Sequence, residues 1–348
     1  MTPMPLDLKT LPHRRQEAWK WTDVQAKVSE DQNGLTRAAI PEFDVPEGVH
    51  LSEGEGHKGH GAMADLAAQF GGKSWNLYVP ADTHPESDLT IDRLAQGHAR
   101  IAIMVDKGAS LTITENYEGA ENGFSNLDLQ IHLAEGATLS RRVIHRDPDS
   151  HIRISHAHIA AEANTKITQH CLSFGGALSR LETHLTCEGE GVKAVLNGAY
   201  LLCDKRHTDM TSFIRLKQPD SHIRQAVKGV VTDKTRGVFQ GKFLVERPAQ
   251  QTDAAMRHDA LMLSDNAEVR SKPELEIYAD DVACEHGNTI GALDDSALFY
   301  MRQRGIPLKQ ARALLTEAFV AEAFDSLADE GLRNSLNEKI REWLENTE

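Results

Sequence analysis

The chain is poor in aromatic residues, 5% of 348, and has four cysteines with no CxxC pair among them. So few large rings exclude a core built on aromatic stacking and leave one of small and branched side chains. Cys171, Cys187, Cys203 and Cys284 are too few and too scattered for a disulfide framework, which leaves free thiols or metal ligands in a reducing compartment. Basic residues are also short, 38 Lys and Arg against 52 Asp and Glu, so the formal charge of -14 argues against nucleic acid and against an anionic membrane as partners. No apolar run approaches the ~18 residues of a spanning helix, and the first residues lack the regions of a secretion signal, so a cytoplasmic location is expected. A phosphate loop is missing as well: "GGKS" at 71–74 has Ala67 where the first glycine belongs and follows a helical segment instead of a strand.

What the chain does have is a repeat. After two segments that read as helices, Leu11 to Val28 and Gly61 to Phe70, the pattern from Trp75 to Ile277 is one of short β-type runs broken by Gly, Asn, Asp and Pro. The stretches "DKGASLTI" at Asp106, "AEGATLSR" at Ala134, "EANTKITQ" at Glu162 and "EGVKAVLN" at Glu190 follow one another every 28 residues. Gly108, Gly136 and Asn164 hold equivalent places in them, and these residue types tolerate a positive φ. A turn residue ahead of each strand at a fixed period is the pattern of a β-solenoid with about seven coils between His98 and His286; an ordinary β-sandwich with accidental spacing is the competing reading.

The last part switches to helices. Asp294 or Asp295 caps the first and Gly305 follows it; Pro307 opens a second with Leu308, Ala311, Leu315, Ala318 and Phe319 in one stripe; Leu332 to Leu344 forms a third. Three parts are therefore expected: an N-terminal helical segment with lead-in strands over 1–95, the solenoid over 96–290 and a C-terminal helical domain over 291–348.

Within "DDVACEHGNTIGALDD", alternation along a strand puts Cys284 and His286 on one face and Glu285 on the other. A thiolate and an imidazole suit iron, zinc or an iron–sulfur cluster, yet such centres take about four donors. By its residues alone the pair reads first as a packed thiol beside a hydrogen-bonded histidine, and second as half of a site whose other donors come from another coil or another chain. A second candidate is the set His145, His151, His156, His158, His170 and His184, which reads either as metal-binding or as outward polar decoration of strands. The other three cysteines read as packing. Ten Lys or Arg against five acidic residues in 200–247 read as a solvated face.

The motifs "RGVFQGK" (236–242), "AQQTDA" (249–254), "LSDNAEV" (263–269), "KPELEIYADDV" (272–282), C-x-H-G at Cys284 and "LFYMRQRGI" (298–306) resemble the SufB/SufD family of iron–sulfur cluster assembly proteins, and its SufD branch in particular. The resemblance implies a right-handed parallel β-helix between helical segments and a non-catalytic scaffold. This scaffold would pair with SufB through the β-helix end and dock the ATPase SufC on the C-terminal helices, where Leu298, Phe299, Leu315 and Phe319 are the candidate contacts. It implies that His286, with Cys284 as a secondary ligand or neighbour, helps to take up iron or a nascent cluster at the SufB interface. The isolated chain would hold no cofactor stably and could form a homodimer, and a reduced flavin in the complex stays an open question. A SufB-like cluster scaffold is the nearest alternative. A β-helix enzyme acting on polysaccharide is more remote, because Asp280 and Asp281 are adjacent on a strand and point to opposite faces. A free-standing metal-binding protein built on the histidine set is the third.

Overall fold

In the computed structural model, residues 6–55, 59–92, 94–327 and 329–347 are described. Short elements come first: helix α1 (Val24–Lys27), strands β1 (Glu42–Asp44) and β2 (His50–Gly54), and helix α2 (Ala62–Phe70). Then follow β3 (Ser74–Val79), β4 (Leu89–Asp92), β5 (Gly97–Val105), β6 (Ser110–Tyr117), β7 (Phe124–Leu133), β8 (Thr138–His145), β9 (Ile152–Ala161) and β10 (Lys166–Ser173). The series continues with β11 (Leu178–Cys187), β12 (Lys193–Leu202), β13 (His207–Leu216), β14 (His222–Val231), β15 (Arg236–Val245), β16 (Thr252–Met262), β17 (Glu268–Ile277) and β18 (Val282–Gly291). Helices α3 (Asp295–Gln303), α4 (Leu308–Ala321) and α5 (Glu330–Thr347) end the chain.

From β3 onward consecutive strands do not pair. From β4 onward each even-numbered strand lies parallel to the next even one, from β3 onward each odd to the next odd, and the two nine-stranded sheets face each other as the walls of a β-solenoid of about eight turns. The turn ahead of each even-numbered strand explains why the period is visible in the sequence. Asp82, Gly108, Gly136, Asn164, Gly191, Asp220 and Gln251 all have a φ between 54° and 73°. Each donates its N–H to a carbonyl one coil further on, from Asp82 to Lys107 through Gly108 to Glu135 and so on to Gln251 with Asp281. The left-handed conformation is what aims that N–H along the solenoid axis, so Gly, Asn and Asp recur there. Parallel pairing reaches back to β3 and β4, one turn earlier than the reading of about seven coils.

Inward side chains of successive coils stack into columns. The column through Ile113, Arg141 and Gln169 is partly polar, and a deeply buried network fills it. Arg141 donates from Nε to Glu115 Oε1 at 2.5 Å and from Nη2 to Oε2 at 2.9 Å, and its Nη1 donates to Gln169 Oε1 at 2.8 Å. Tyr117 Oη also donates to Glu115, at 2.9 Å. Alternation sets Arg141 on the inward face with Leu139 and Val143, against the usual preference of an arginine for solvent, and the carboxylate one coil below makes that position tenable.

Two glycines of the motif-rich region have a steric role. A Cβ on Gly229 would lie 2.2 Å from Tyr200 Cζ, and one on Gly237 2.4 Å from Tyr200 Cε2, so the buried Tyr200 ring occupies a slot between the two sheets. Gly237→Ala is expected to lower stability by ~2 kcal/mol, as overpacked cores do; an unchanged urea midpoint would show that the slot has slack.

The N-terminal reading needs correction. Instead of one helix from Leu11 to Val28 there are 3-10 turns at Leu8–Thr10 and Glu17–Trp19 and the single turn α1. Tertiary contacts override the local pattern: Trp19 stacks on the Arg180 guanidinium at 4.0 Å, Thr22 donates to Asp209, and Gln240 Nε2 donates to the Ala18 carbonyl at 3.4 Å. A continuous helix could not lay all three against the sheet. Helix α2 forms as the sequence predicts, with Met63, Leu66, Ala67 and Phe70 buried. At the other end Asp294 caps α3 by accepting from the Ser296 N–H, and Gly305 follows with φ 84°. The buried face of α4 is Ala311, Thr316 and Val320, turned from the expected stripe, because α5 and the outer face of the even-numbered sheet cover that side. No described helix is long and apolar enough to cross a membrane.

Candidate functional site

The C-x-H stretch forms β18, the final strand of the even-numbered sheet, and its register places Cys284 beside Ala254, His286 beside Met256 and Asn288 beside His258. Those three partners are buried and face the solenoid interior, so Cys284, His286 and Asn288 continue inward columns at the mouth of the last coil. Cys284 ends an aliphatic column that runs through Leu139, Ile167, Ala194, Ile223 and Ala254. The two ends of the solenoid differ. At the first, the sheets finish with the antiparallel strands β1 and β2; at the last, β17 and β18 are the outer strands, with no further strand paired to either among the described residues. All residues of β18 are exposed or half-exposed.

The chemistry of the pair follows from that position. Cys284 is half-buried against the main core, and burial, with Asp253 adding to it, pushes its thiol above the usual range. A metal-free thiolate is therefore disfavoured at neutral pH, and a cation must displace the proton for Cys284 to ligate. His286 is exposed, and its side chain has no hydrogen-bond partner among the described residues. One residue of the same strand is linked deep into the fold. Asn288 Oδ1 is 2.8 Å from His258 Nδ1, and His258 Nε2 is 2.9 Å from the Tyr200 hydroxyl. With Oδ1 as acceptor, Nδ1 carries the proton and Nε2 accepts from tyrosine, a consistent tautomer. The His258 ring also stacks on Phe239, with centroids 4.8 Å apart. No local signal revealed this relay, because its members lie one to three coils apart.

The remaining candidates separate. Phe299 is 65% exposed, Leu298 is buried, Leu315 is half-buried, and Phe319 lies under the Lys228 ammonium at 4.5 Å. An apolar groove on the outside of α4 and α5 is lined by Pro307, Ala313, Leu314 and Leu344. The six histidines fall into three places. His145 and His151 are buried near Asp147 and Arg153; His170 meets Ser326 at 3.0 Å; His156, His158 and His184 share the outer face of the odd-numbered sheet. Cys171 and Cys187 are buried as packing residues, while Cys203 is half-exposed beside Asp204. In the basic stretch, Arg215, Lys217, Arg224, Arg236 and Lys242 pair with carboxylates of neighbouring coils.

Comparison with known proteins agrees with this architecture. Residues 90–319 match the family model described as SUF system FeS cluster assembly, SufBD core domain. The iron–sulfur cluster assembly protein SufD of Escherichia coli is 30% identical over 94% of this chain and 76% of its own length. An iron–sulfur cluster assembly SufBD family protein of Synechocystis is 27% identical over 95% and 87%, and the chloroplastic protein ABCI7 of Arabidopsis thaliana 30% over 77% and 57%. With two thirds of its length inside the family model and a solenoid built from that same region, the chain belongs to the SufB/SufD family of SUF-system iron–sulfur cluster assembly proteins, and is SufD-like.

Proposed function

We propose that this chain is a non-catalytic scaffold of the SUF assembly machinery, which pairs with SufB at the open end of its solenoid and presents His286, with Cys284 beside it, to iron or a nascent cluster. The observation that carries the reading is the unfinished last coil. Among the described residues no strand pairs with the outer edge of β17 or of β18, ten residues each, and such edges are otherwise blunted or covered in stable monomers. A partner with the same coil geometry satisfies both edges by continuing the sheets. The exposed imidazole at that mouth then has the partner's side chains as its missing donors, which accounts for a two-residue ligand set. Iron and cluster are cargo at this junction. SufC is proposed to dock on the helical end, where Phe299, Tyr300 and Leu314 expose apolar surface beside the groove of α4 and α5; ATP hydrolysis then belongs to that partner.

Co-expression with SufB and SufC is expected to give a ternary complex in which His286→Ala keeps the subunit ratio and loses most of the bound iron and acid-labile sulfide. Cys284→Ser is expected to have a smaller effect. Unchanged loading of an intact His286→Ala complex would remove the proposed role, and failure of the chain to co-purify with SufB would remove the pairing.

A further inference from the structure

Away from the solenoid mouth, the outer face of the odd-numbered sheet gathers a different set of donors. Asp128, His156 and Glu182 are in register across β7, β9 and β11, and Gln130, His158 and His184 form the neighbouring row. One ligating atom each from His156, Glu182 and His184 lies within 4.8 Å of the other two. The His156 and His184 rings meet edge to face with centroids 4.8 Å apart, and His158 is 6.5 Å from His184. His60, from the loop ahead of α2, lies against His158 at 6.2 Å.

The cluster is held from behind. Glu182 accepts from Arg180 Nε at 2.8 Å through one oxygen and contacts His184 Nε2 at 2.8 Å through the other. Arg180 itself is fully buried, clamped by Asp209 at 2.6 Å and covered by Trp19. This is the outer support that metal-binding carboxylates use, and it fixes Glu182 beside two imidazoles in a partly sheltered position. His156 is 8% exposed, and His184 borders the Phe213 ring.

We infer that His156, Glu182 and His184 form a binding site for a divalent first-row transition ion of the zinc type, with His158 or water as fourth donor. Two imidazoles and one carboxylate select such an ion over magnesium or calcium, which take oxygen donors. Donors of a tetrahedral zinc site stand about 3.4 Å apart at bond lengths of about 2.1 Å. Side-chain rotation on adjacent strands, themselves about 4.8 Å apart, supplies that contraction without moving the backbone. The site lies on the other sheet from Cys284 and His286, so it is independent of the pairing with SufB.

Titration of the chelator-stripped full chain with cobalt(II), used as the probe, tests the site. The expected result is one equivalent bound at micromolar affinity or tighter, with the visible d–d bands of a tetrahedral ion, displaced by zinc. His184→Gln, at a position open enough to keep the fold, and His156→Ala are each expected to weaken binding at least tenfold, while the Cys284→Ser/His286→Ala double variant binds like the parent. Absence of cobalt binding by the parent chain overturns the inference. So does parental affinity in a folded His156→Ala/His184→Gln double variant, or loss of binding in the Cys284→Ser/His286→Ala variant alone.

Discussion

Acidification from pH 6.5 to pH 4 is expected to remove most of the stability of the purified chain, with the loss beginning above the range in which carboxylates titrate. Four buried histidines cause this. Burial lowers His98 and His258 to about 4, and His145 and His207 to about 3, with the Arg153 and Arg236 charges adding to the effect on the last two respectively. A folded-state value below the unfolded value of 6.5 means that stability is complete above pH 6.5 and is lost as pH falls toward the folded values. At 1.36 kcal/mol for each pH unit of displacement, each of the four contributes roughly 3 kcal/mol by pH 4. Together this is on the order of 10 kcal/mol, comparable with the whole stability of an ordinary domain of about 5 to 15 kcal/mol. Asp147, held below the carboxylate range by Arg153, adds its own loss only at lower pH. The measurement is the urea midpoint across pH 8 to 4, and a flat profile would contradict the argument. His207 provides a cleaner test, because its Nε2 has no hydrogen-bond partner among the described residues. His207→Leu removes the titrating group without orphaning a partner through that atom, and it is expected to flatten the profile by about one proton.

Arg141→Met is expected to cost about 3 to 5 kcal/mol, the range found when one partner of a buried ion pair is removed. The variant leaves the Glu115 carboxylate, fully enclosed, with only the Tyr117 hydroxyl as donor, and takes from Gln169 the donor to its carbonyl. Glu115→Leu in the same chain is expected to restore at least about half of the loss, since the uncompensated charge, more than the lost contact, is what destabilises. Simple additivity of the two substitutions in urea denaturation would show that Glu115 is relieved in some other way. The two residues sit in neighbouring inward columns, Arg141 beside Ile113 and Glu115 beside Val143, and Gln169 ties Arg141 to the next coil, so the loss reaches three successive coils.

Much of the solenoid was legible from residues alone, because its determinants are local. A turn that aims an N–H along the axis needs a positive φ, and Gly108, Gly136 and Asn164 announce it at their own positions. Alternation likewise placed Cys284 and His286 on one face before any register was known. Reading failed where distant contacts outweigh local preference. Trp19 and Thr22 follow the shape of the sheet rather than a helical repeat, since Arg180 and Asp209 draw them down. Asn288 carried no sign of its bond to His258, and six histidines of one composition divided into a buried pair, a residue bound to Ser326 and an outer cluster.

The sequence by itself determined the coil period, the turns, the strand alternation and the capped helices at the end, all of which depend on φ, ψ and side-chain type within a few residues. Tertiary structure alone decided that Arg141 meets Glu115, that Tyr200 has a slot between Gly229 and Gly237, and that His156 meets Glu182 and His184. Those outcomes depend on register between strands some 26 to 32 residues apart, and register is fixed only when whole coils stack and each buried charge or ring must find its partner in the next one.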